Sequence, residues 1–236
     1  MTLQQTCTDY ARTPRVLIWD LPTRAFHWLL VFSFAAAYVT AEWDRFLDLH
    51  AMFGYTVGGL VVFRLLWGFI GTRYARFASF WFRPADVRAY LRSITSLRPR
   101  HYAGHNPAGA VAIFALLGLA LAVVASGFTL YWGLAGNWME DIHEAMANAM
   151  LVIVGLHVAG ALISSLLHRE NLVRAMVTGR KAVSPEQGIA GARTLLGGLL
   201  VVAVLAFWVA DRGGWVPHAP VAVRGDHSRG HDHGRD

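Results

Sequence analysis

Long apolar blocks alternate with shorter polar blocks along the chain. Five apolar blocks reach or approach the roughly 20 residues that an α-helix needs to cross a bilayer. They predict membrane-spanning helices at residues 25–41, 50–70, 107–132, 141–167 and 194–210. The blocks differ in sequence, so no internal repeat is evident. The pattern predicts an all-α integral membrane protein, with a four-helix transmembrane bundle and a fifth, C-terminal transmembrane helix.

Composition agrees with this class, since 55% of the 236 residues are hydrophobic and only 15% are charged. The first part of the chain is polar and mixed, without the short apolar core of a signal peptide, so we expect no cleaved leader. We divide the chain into an N-terminal cytoplasmic arm (1–24), a transmembrane domain (25–181), an extra transmembrane helix (194–210) and a polar tail (211–236).

The tail is rich in histidine, and a disordered polar segment is favoured there over a loose metal site. Its candidate ligands are His227, His231, Asp232 and His233.

Basic residues concentrate before the first predicted helix and after the second and fourth. They are Arg12, Arg15, Arg24, Arg73, Arg76, Arg83, Arg88, Arg92, Arg98, Arg100, Arg169, Arg174, Arg180, Lys181 and Arg193. The alternate loops are acidic, with Glu42, Asp44, Asp48, Glu140 and Asp141. The positive-inside rule therefore predicts a multi-pass membrane protein with its N-terminus in the cytoplasm and its C-terminal tail outside. Because the arginines flank spans, they do not indicate nucleic-acid binding.

Cys7 is the only cysteine in the chain. A single cysteine excludes an internal disulfide, an all-cysteine iron–sulfur site and the covalent attachment of a c-type haem. Any haem must be held by coordination and packing.

Two histidines share one predicted span. His143 and His157 are fourteen residues apart, which puts them on the same helical face and ~21 Å apart along the axis. His27 begins the first predicted helix and His50 begins the second. In the topology above, His50 and His143 lie near the outer face of the membrane, and His27 and His157 near the inner face. Ligating side chains inside a membrane are costly, so each needs a function.

Two histidines at one depth suit the axial coordination of a haem iron, and two such sites fit in series within a ~30 Å hydrocarbon core. Zinc or copper sites need three or four ligands at one depth. We therefore predict two b haems, with their irons ligated by His50 with His143 and by His27 with His157.

Other residues have two interpretations. His101, His105 and His168 lie in or beside basic loops and fit interfacial placement, with His168 a weak candidate ligand. Arg64 lies fourteen residues after His50, where it pairs with a haem propionate or extends to the cytoplasmic surface.

The glycines near the histidines either leave room for a flat haem or pack helices together. These glycines are Gly54, Gly58, Gly155 and Gly160.

The histidines lie within short motifs that recur together in one group of membrane proteins. The motifs are Trp19-Asp20-Leu21-Pro22-Thr23-Arg24 followed by His27-Trp28, His50-x-x-x-Gly54-Tyr55, Arg64-Leu65-Leu66-Trp67-Gly68, His105-Asn106-Pro107-x-Gly109 and the spacing of His143 and His157. Over residues 15–181 this combination resembles the cytochrome b subunits of nickel–iron hydrogenases. The wider group is the bacterial cytochrome b561 and formate dehydrogenase gamma-subunit superfamily.

The resemblance implies two b haems held by the four histidines, in the pairs derived above. It implies the bacterial inner membrane as the location, with the C-terminus in the periplasm. It also implies electron exchange between a quinone pool and an outer redox partner, which is a hydrogenase-type subunit or a periplasmic c-type cytochrome. Quinone is implied near the inner haem, with Asn106 close by. We interpret the chain as an electron-transfer subunit of a membrane oxidoreductase. The sequence leaves its own enzymatic activity and its oligomeric state open.

Two alternatives stay open. A superoxide:quinone oxidoreductase of the cytochrome b561 type belongs to the same superfamily. A transporter whose histidines relay protons or bind metal belongs to a different class. A proton relay would be expected to include acidic residues within the spans, and we expect none there.

Overall fold

The computed structural model describes residues 14–96 and 100–219 of the chain. The predictions made for Cys7, Arg12 and Arg98 lie outside the described residues. The same is true of the histidine-rich part of the tail, with His227, His231, Asp232 and His233.

The described residues form seven α-helices and one pair of short strands. The helices are α1 (Leu21–Thr40), α2 (Leu47–Ile70), α3 (Pro84–Thr95), α4 (Pro107–Tyr131), α5 (Trp138–Leu167), α6 (Leu172–Thr178) and α7 (Thr194–Arg212). The strands are β1 (Arg15–Leu17) and β2 (Arg180–Ala182), which pair in antiparallel fashion. Single 3-10 turns lie at Asp44–Phe46, Phe77–Ser79 and Pro185–Gln187.

Four helical segments are long and apolar enough to cross a membrane, so the chain is a multi-pass, mainly helical membrane protein. Within the described residues these segments are Asp44–Ile70, Pro107–Tyr131, Trp138–Leu167 and Thr194–Arg212. The helix α1 is not among them, because Thr23, Arg24 and His27 lower the apolarity of its first half.

All five predicted helices are present, but their ends differ from the prediction. The helix α1 begins at Leu21 rather than at residue 25, and α5 begins at Trp138 rather than at residue 141. The expectation that the membrane-spanning helices contain no acidic residues is wrong at the helix ends. Acidic side chains lie within the end turns of α2, α5 and α7, at Asp48, Glu140, Asp141, Glu144 and Asp211.

The chain divides into two compact units. The described part of unit 1 contains residues 14–25, 65–96, 100–113 and 156–198. The described part of unit 2 contains residues 26–64, 114–155 and 199–219.

Unit 1 is closed by its strand pair, in which Val16 lies opposite Lys181. Gly179 ends α6 with a φ of +78°, a left-handed conformation that favours glycine. Its carbonyl oxygen accepts hydrogen bonds from the backbone nitrogens of Ile18 (2.8 Å) and Trp19 (3.0 Å). These bonds hold Ile18 and Trp19 in the buried core of the unit.

Asp20 is the polar centre of unit 1 and is 0% exposed. Its Oδ1 atom accepts a hydrogen bond from the backbone nitrogen of Thr23 at 2.8 Å, as an N-cap residue does at the start of a helix. Its Oδ2 atom accepts hydrogen bonds from Trp67 Nε1, at 3.2 Å, and from the Thr72 hydroxyl. One carboxylate therefore both starts α1 and fixes it to the end of α2.

Unit 2 packs α1, α2 and α7 together through aromatic rings. The ring centroids of Phe32, Phe53 and Trp208 lie 5.6 to 5.8 Å apart in all three pairs. The indole nitrogen of Trp208 donates a hydrogen bond to the Thr56 hydroxyl at 2.9 Å. These contacts hold the part of α2 that follows His50.

Candidate functional site

Two of the predicted ligands face each other within unit 2. His50 lies in the first turn of α2, and His143 lies in the second turn of α5. The centroids of their imidazole rings are 6.1 Å apart, and the ring planes are nearly perpendicular at 79°. An ordinary edge-to-face aromatic pair can have the same spacing as two imidazoles that bind one metal. The surroundings of the ring nitrogens distinguish these two interpretations.

The Nδ1 atom of His50 lies 2.8 Å from the carbonyl oxygen of Ala37 in α1. A carbonyl oxygen only accepts hydrogen bonds, so Nδ1 carries the proton and donates it. The Nε2 atom of the neutral ring then keeps its lone pair. Metal-ligating histidines commonly have this arrangement, with a second hydrogen bond that fixes the tautomer and the ring orientation.

The Nδ1 atom of His143 has an equivalent partner in α4. It lies 2.9 Å from the hydroxyl oxygen of Ser126. That hydroxyl donates its own proton to the carbonyl oxygen of Val123 at 3.0 Å, so it acts as the acceptor for His143. Both rings of the pair therefore present Nε2 as the electron-donating atom.

Small residues shape the space around the two rings. A Cβ atom at Gly127 would lie 2.9 Å from Cε1 of His143, so the ring requires glycine at this position of α4. Gly54 lies one turn after His50, and a Cβ atom there would meet nothing within 4 Å. Gly58 instead packs against Val124, as glycines commonly do between membrane helices.

These features fit a haem iron between His50 and His143. Metal–imidazole bonds are about 2 Å long. If two imidazoles held one metal between them, their ring centroids would therefore be roughly 6 Å apart. The observed separation is 6.1 Å. The open space beside Gly54, on the same helical face as His50, is where a flat group requires room.

The other two predicted ligands belong to different units. His27 lies in the second turn of α1, in unit 2, and its ring centroid is 5.0 Å from that of Trp28. His157 lies in α5, in the part of that helix that belongs to unit 1. Both side chains are half-buried. Gly155 and Gly160 are exposed, with open space where a Cβ atom would stand.

Arg64 is buried, with 3% of its surface exposed. A side chain that extended to the cytoplasmic surface would be solvent-accessible, so the snorkelling interpretation does not describe this arginine. An arginine at this depth of α2 calls for an anion.

Asn106 is the N-cap residue of α4. Its Oδ1 atom accepts a hydrogen bond from the backbone nitrogen of Gly109 at 2.7 Å. It also lines a polar cavity of about 30 Å³ in unit 1, which has room for about two water molecules. The neighbouring His105 packs between the rings of Trp19 (4.6 Å) and Phe80 (4.7 Å).

His168 lines the same cavity, and both of its ring nitrogens face carbonyl oxygens. Nδ1 lies 2.8 Å from the oxygen of Ser164, and Nε2 lies 3.2 Å from that of Arg100. Both ring nitrogens are therefore engaged with the backbone, whereas at His50 and His143 the hydrogen-bonding contacts in the described part of the chain are made by Nδ1.

Sequence reasoning missed Ser126 and Gly127. Adjacent small residues in an apolar helix are a weak signal, because they usually indicate close helix packing. Only the position of His143 on the neighbouring helix identifies their function.

Comparison with known proteins agrees with this geometry. The chain is similar to a probable Ni/Fe-hydrogenase B-type cytochrome subunit from Bradyrhizobium diazoefficiens, with 23% identity over 71% of this chain and 86% of the relative. It is 26% identical to the probable subunit of the same name from Azotobacter chroococcum, over 70% and 87%. It is 24% identical to the probable Ni/Fe-hydrogenase 1 B-type cytochrome subunit of Escherichia coli K12, over 70% and 90%.

No solved structure gives a significant match to the chain. The model of the family described as prokaryotic cytochrome b561 matches residues 18–179, which is more than half of the chain. The protein therefore belongs to the prokaryotic cytochrome b561 family, and it is a b-type cytochrome that transfers electrons in a membrane.

Proposed function

We propose that this cytochrome carries two b haems and passes electrons between the membrane quinone pool and a redox protein on the periplasmic side. His50 and His143 ligate the outer iron, and His27 and His157 ligate the inner iron. The observation that carries the proposal is the pair of imidazoles 6.1 Å apart, each with its Nδ1 atom held by a second hydrogen-bonding group. An iron with two axial imidazoles has no open position, which favours electron transfer over oxygen chemistry.

The bound haem supplies a one-electron couple, and the protein sets its environment. The carbonyl oxygen of Ala37 and the hydroxyl of Ser126 hold the two imidazole rings and raise the basicity of Nε2. Gly127 lets the His143 ring lie close to α4. The buried guanidinium of Arg64 is the partner for a propionate of the inner haem.

The proposed topology has five spans, with α1 as the first and α7 as the last. The basic loops then lie in the cytoplasm of a bacterial cell, together with the N-terminus, and the C-terminus lies in the periplasm. Packing of α1 against α2 and α7 through Phe32, Phe53 and Trp208 supports its inclusion in the transmembrane domain.

Quinone is proposed to bind near Asn106, on the cytoplasmic side. The Oδ1 atom of Asn106 is occupied by the backbone nitrogen of Gly109. The amide nitrogen is therefore the group that donates a hydrogen bond to a quinone carbonyl. We place the quinone ring beside the cavity that Asn106 lines.

The partner is proposed from the relatives, which are named as subunits of Ni/Fe hydrogenases. A hydrogenase-type subunit on the outer face would deliver electrons to the outer haem. A periplasmic c-type cytochrome is the alternative partner. A superoxide:quinone oxidoreductase activity is also compatible with the outer haem and the quinone site.

A histidine-based proton or metal transporter is the competing function of a different class. Acidic residues occur in the end turns of α2, α5 and α7. Among the described residues, no group of three or more His, Cys, Asp or Glu side chains could hold a metal ion. The haem proposal accounts for the orientation of both ring nitrogens at the His50–His143 pair, whereas the transporter does not.

The test is a reduced-minus-oxidised spectrum of the purified protein, together with haem extraction. Two extractable b haems with low-spin spectra are expected. Replacing His50 or His143 by alanine should remove the outer haem alone, and replacing His27 or His157 should remove the inner haem alone. Redox titration should therefore sort the four variants into these two classes. An intact, haem-replete preparation with one haem, or a class that unites His27 with His50, would contradict the proposal.

A further inference from the structure

The polar cavity of unit 1 contains several charged and titratable side chains. It lies at the end of α5, and its walls include the segment 100–106, the residue Ser164 and the polypeptide that follows α5. Its charged and titratable lining residues are Arg100, His101, Tyr102, His168, Glu170 and Lys181. Tyr90 reaches the same place, with its hydroxyl 3.4 Å from that of Ser164, and burial raises the pKa of this tyrosine. Unit 1 therefore gathers titratable side chains around one cavity, in a different unit from His50 and His143.

His168 has a carbonyl oxygen beside each of its ring nitrogens. Its two ring nitrogens lie 2.8 and 3.2 Å from the carbonyl oxygens of Ser164 and Arg100. Because carbonyl oxygens only accept, Nδ1 donates at the shorter distance, and Nε2 faces a second acceptor. The backbone of two separate segments thus provides an acceptor for a proton on either ring nitrogen of His168.

His101 is the neighbour of His168 in this cavity. The two rings are nearly perpendicular, with centroids 4.7 Å apart. The pKa of His101 is lowered, first by burial and then by the charge of His168, although Glu170 opposes this shift. The pair therefore places two imidazole rings in contact beside one polar cavity, and imidazole is the side chain best suited to take up and release protons near neutral pH.

The cavity has room for water beside these groups. Glu170 forms an ion pair with Lys181, at 3.2 Å from Oε2 to Nζ, and the side chain of Lys181 is only 4% exposed. The other oxygen of Glu170, Oε1, is buried and has no hydrogen-bond partner within the described part of the chain. A buried carboxylate oxygen beside a polar cavity with room for about two waters calls for a bound water.

One face of α5 links the cavity to the proposed inner haem. His157 and Ser164 are seven residues apart in the same helix, and His168 follows Ser164 by four residues. At about 100° per residue all three lie on one face, and Ser164 is ~10 Å along the axis from His157. Asn106, the proposed quinone contact, lines the same cavity.

We propose that this cavity is a proton-exchange site for quinone reduction, in which His168 donates the protons and cavity water carries them. The inference rests on the proposed function. Reduction converts a quinone into a quinol with two electrons and two protons. Each electron leaves one ferrous haem ferric, and each carbonyl oxygen of the quinone gains one proton. His168 gives up one proton at a time and is recharged from cytoplasmic water through His101, Glu170 and the cavity.

The test uses the purified holoprotein in lipid nanodiscs. The haems are reduced with dithionite, the excess reductant is removed, and a short-chain ubiquinone is added in a stopped-flow spectrometer between pH 5.5 and 9. We expect haem oxidation in the wild type to slow as the pH rises, because the protonated donor is depleted. In the His168→Gln variant the haems should be oxidised at least tenfold more slowly. The rate should lack this pH dependence, and the haem spectra should be unchanged. Added imidazole should restore part of its rate.

Arg174→Gln is the matched control, because Arg174 is an exposed cation of the same region outside the cavity. It should behave as the wild type. Glu170→Gln, which keeps the size of the side chain, is the second variant and should slow the reaction if His168→Gln does not fold. A wild-type rate and pH profile in either folded cavity variant would overturn the inference and leave the proposed function standing. A wild type whose reduced haems are not oxidised by quinone would overturn both.

Discussion

The hydroxyl oxygen of Ser126 lies 2.9 Å from Nδ1 of His143 and accepts a hydrogen bond from it. Removal of this acceptor in Ser126→Ala should leave the ring less firmly oriented and its Nε2 atom less basic. Losing such a partner typically costs 10- to 100-fold in metal affinity. We expect the outer haem to dissociate that much more readily and its midpoint potential to change, as measured by haem transfer to apomyoglobin and by redox titration. Ser126→Thr, which keeps the hydroxyl, is the control, and equal haem retention in both variants would contradict the role of Ser126.

Gly127 offers a test of the outer site that changes no ligand. In Gly127→Ala the new methyl group would lie 2.9 Å from Cε1 of His143, so the ring must move away. We expect loss of the low-spin signal of one haem, measured by electron paramagnetic resonance.

Gly118→Ala is the matched control for Gly127→Ala. It lies in the same helix, α4, and its Cβ would meet nothing within 4 Å. It should keep both haems, with stability unchanged or raised by about 0.4–1 kcal/mol. If the two alanine variants retain the same haem content, the structural account of Gly127 is wrong.

Asn106 has a capping role and a proposed quinone role, and two substitutions separate them. Asn106→Asp keeps an oxygen that accepts from the backbone nitrogen of Gly109 but lacks the donating amide group. Asn106→Leu lacks both. We expect both variants to slow electron exchange with quinone, and only Asn106→Leu to lose about 1 kcal/mol of stability as well. Stopped-flow kinetics and thermal denaturation measure the two effects, and an Asn106→Asp variant with wild-type kinetics would leave capping as the only role.

Asp20 should be among the most sensitive positions for stability. Its buried carboxylate accepts hydrogen bonds from Thr23, Trp67 and Thr72. Asp20→Ala removes the acceptor of all three hydrogen bonds. Hydrogen bonds to charged groups contribute about 1.5–3 kcal/mol each, and their losses are not additive. We expect destabilisation of several kcal/mol, seen as a lower unfolding temperature in detergent.

Asp86→Ala provides the comparison for Asp20→Ala. Asp86 caps α3 through the backbone nitrogen of Arg83 at 3.0 Å, but on an exposed part of the chain. The Asp86→Ala substitution should lower the free energy of unfolding by about 1 kcal/mol. Similar losses in the two variants would show that burial of Asp20 adds nothing.

The long helices were predictable because only a helix satisfies the backbone of an apolar segment in a bilayer. The starts of α4 and α7 were predicted at the correct residues, whereas the first turns of α1, α2 and α5 were missed. Asp20 and Pro22 are ordinary signals for a helix start, but Thr23 and Arg24 look like loop residues when apolarity alone is counted. The helix starts at Leu21 because Asp20 is held by residues far along the chain, which no local pattern reveals.

The proximity of His50 and His143 was also predictable, since the order of the helices and the rise per residue follow from the sequence. His50 and His143 were assigned to one depth, and the structure has their rings 6.1 Å apart. Their role as ligands stays a prediction. The burial of Arg64 and the hydrogen bond from His143 to Ser126 depend on how helices rotate against each other, and sequence spacing does not determine that rotation. The three-residue strands are too short to produce a periodic pattern.

The pairing of β1 with β2 also sets an order of events during synthesis. Arg180 donates a hydrogen bond to the carbonyl oxygen of Arg15, a residue 165 positions earlier. At ribosomal rates of about 5–20 residues per second, the start of the chain waits roughly 10–30 s for this partner. His50 and His143 both emerge before it does. The newly made protein can therefore acquire the proposed outer haem while its first residues are still unpaired, and closure of the strand pair becomes a late step of maturation.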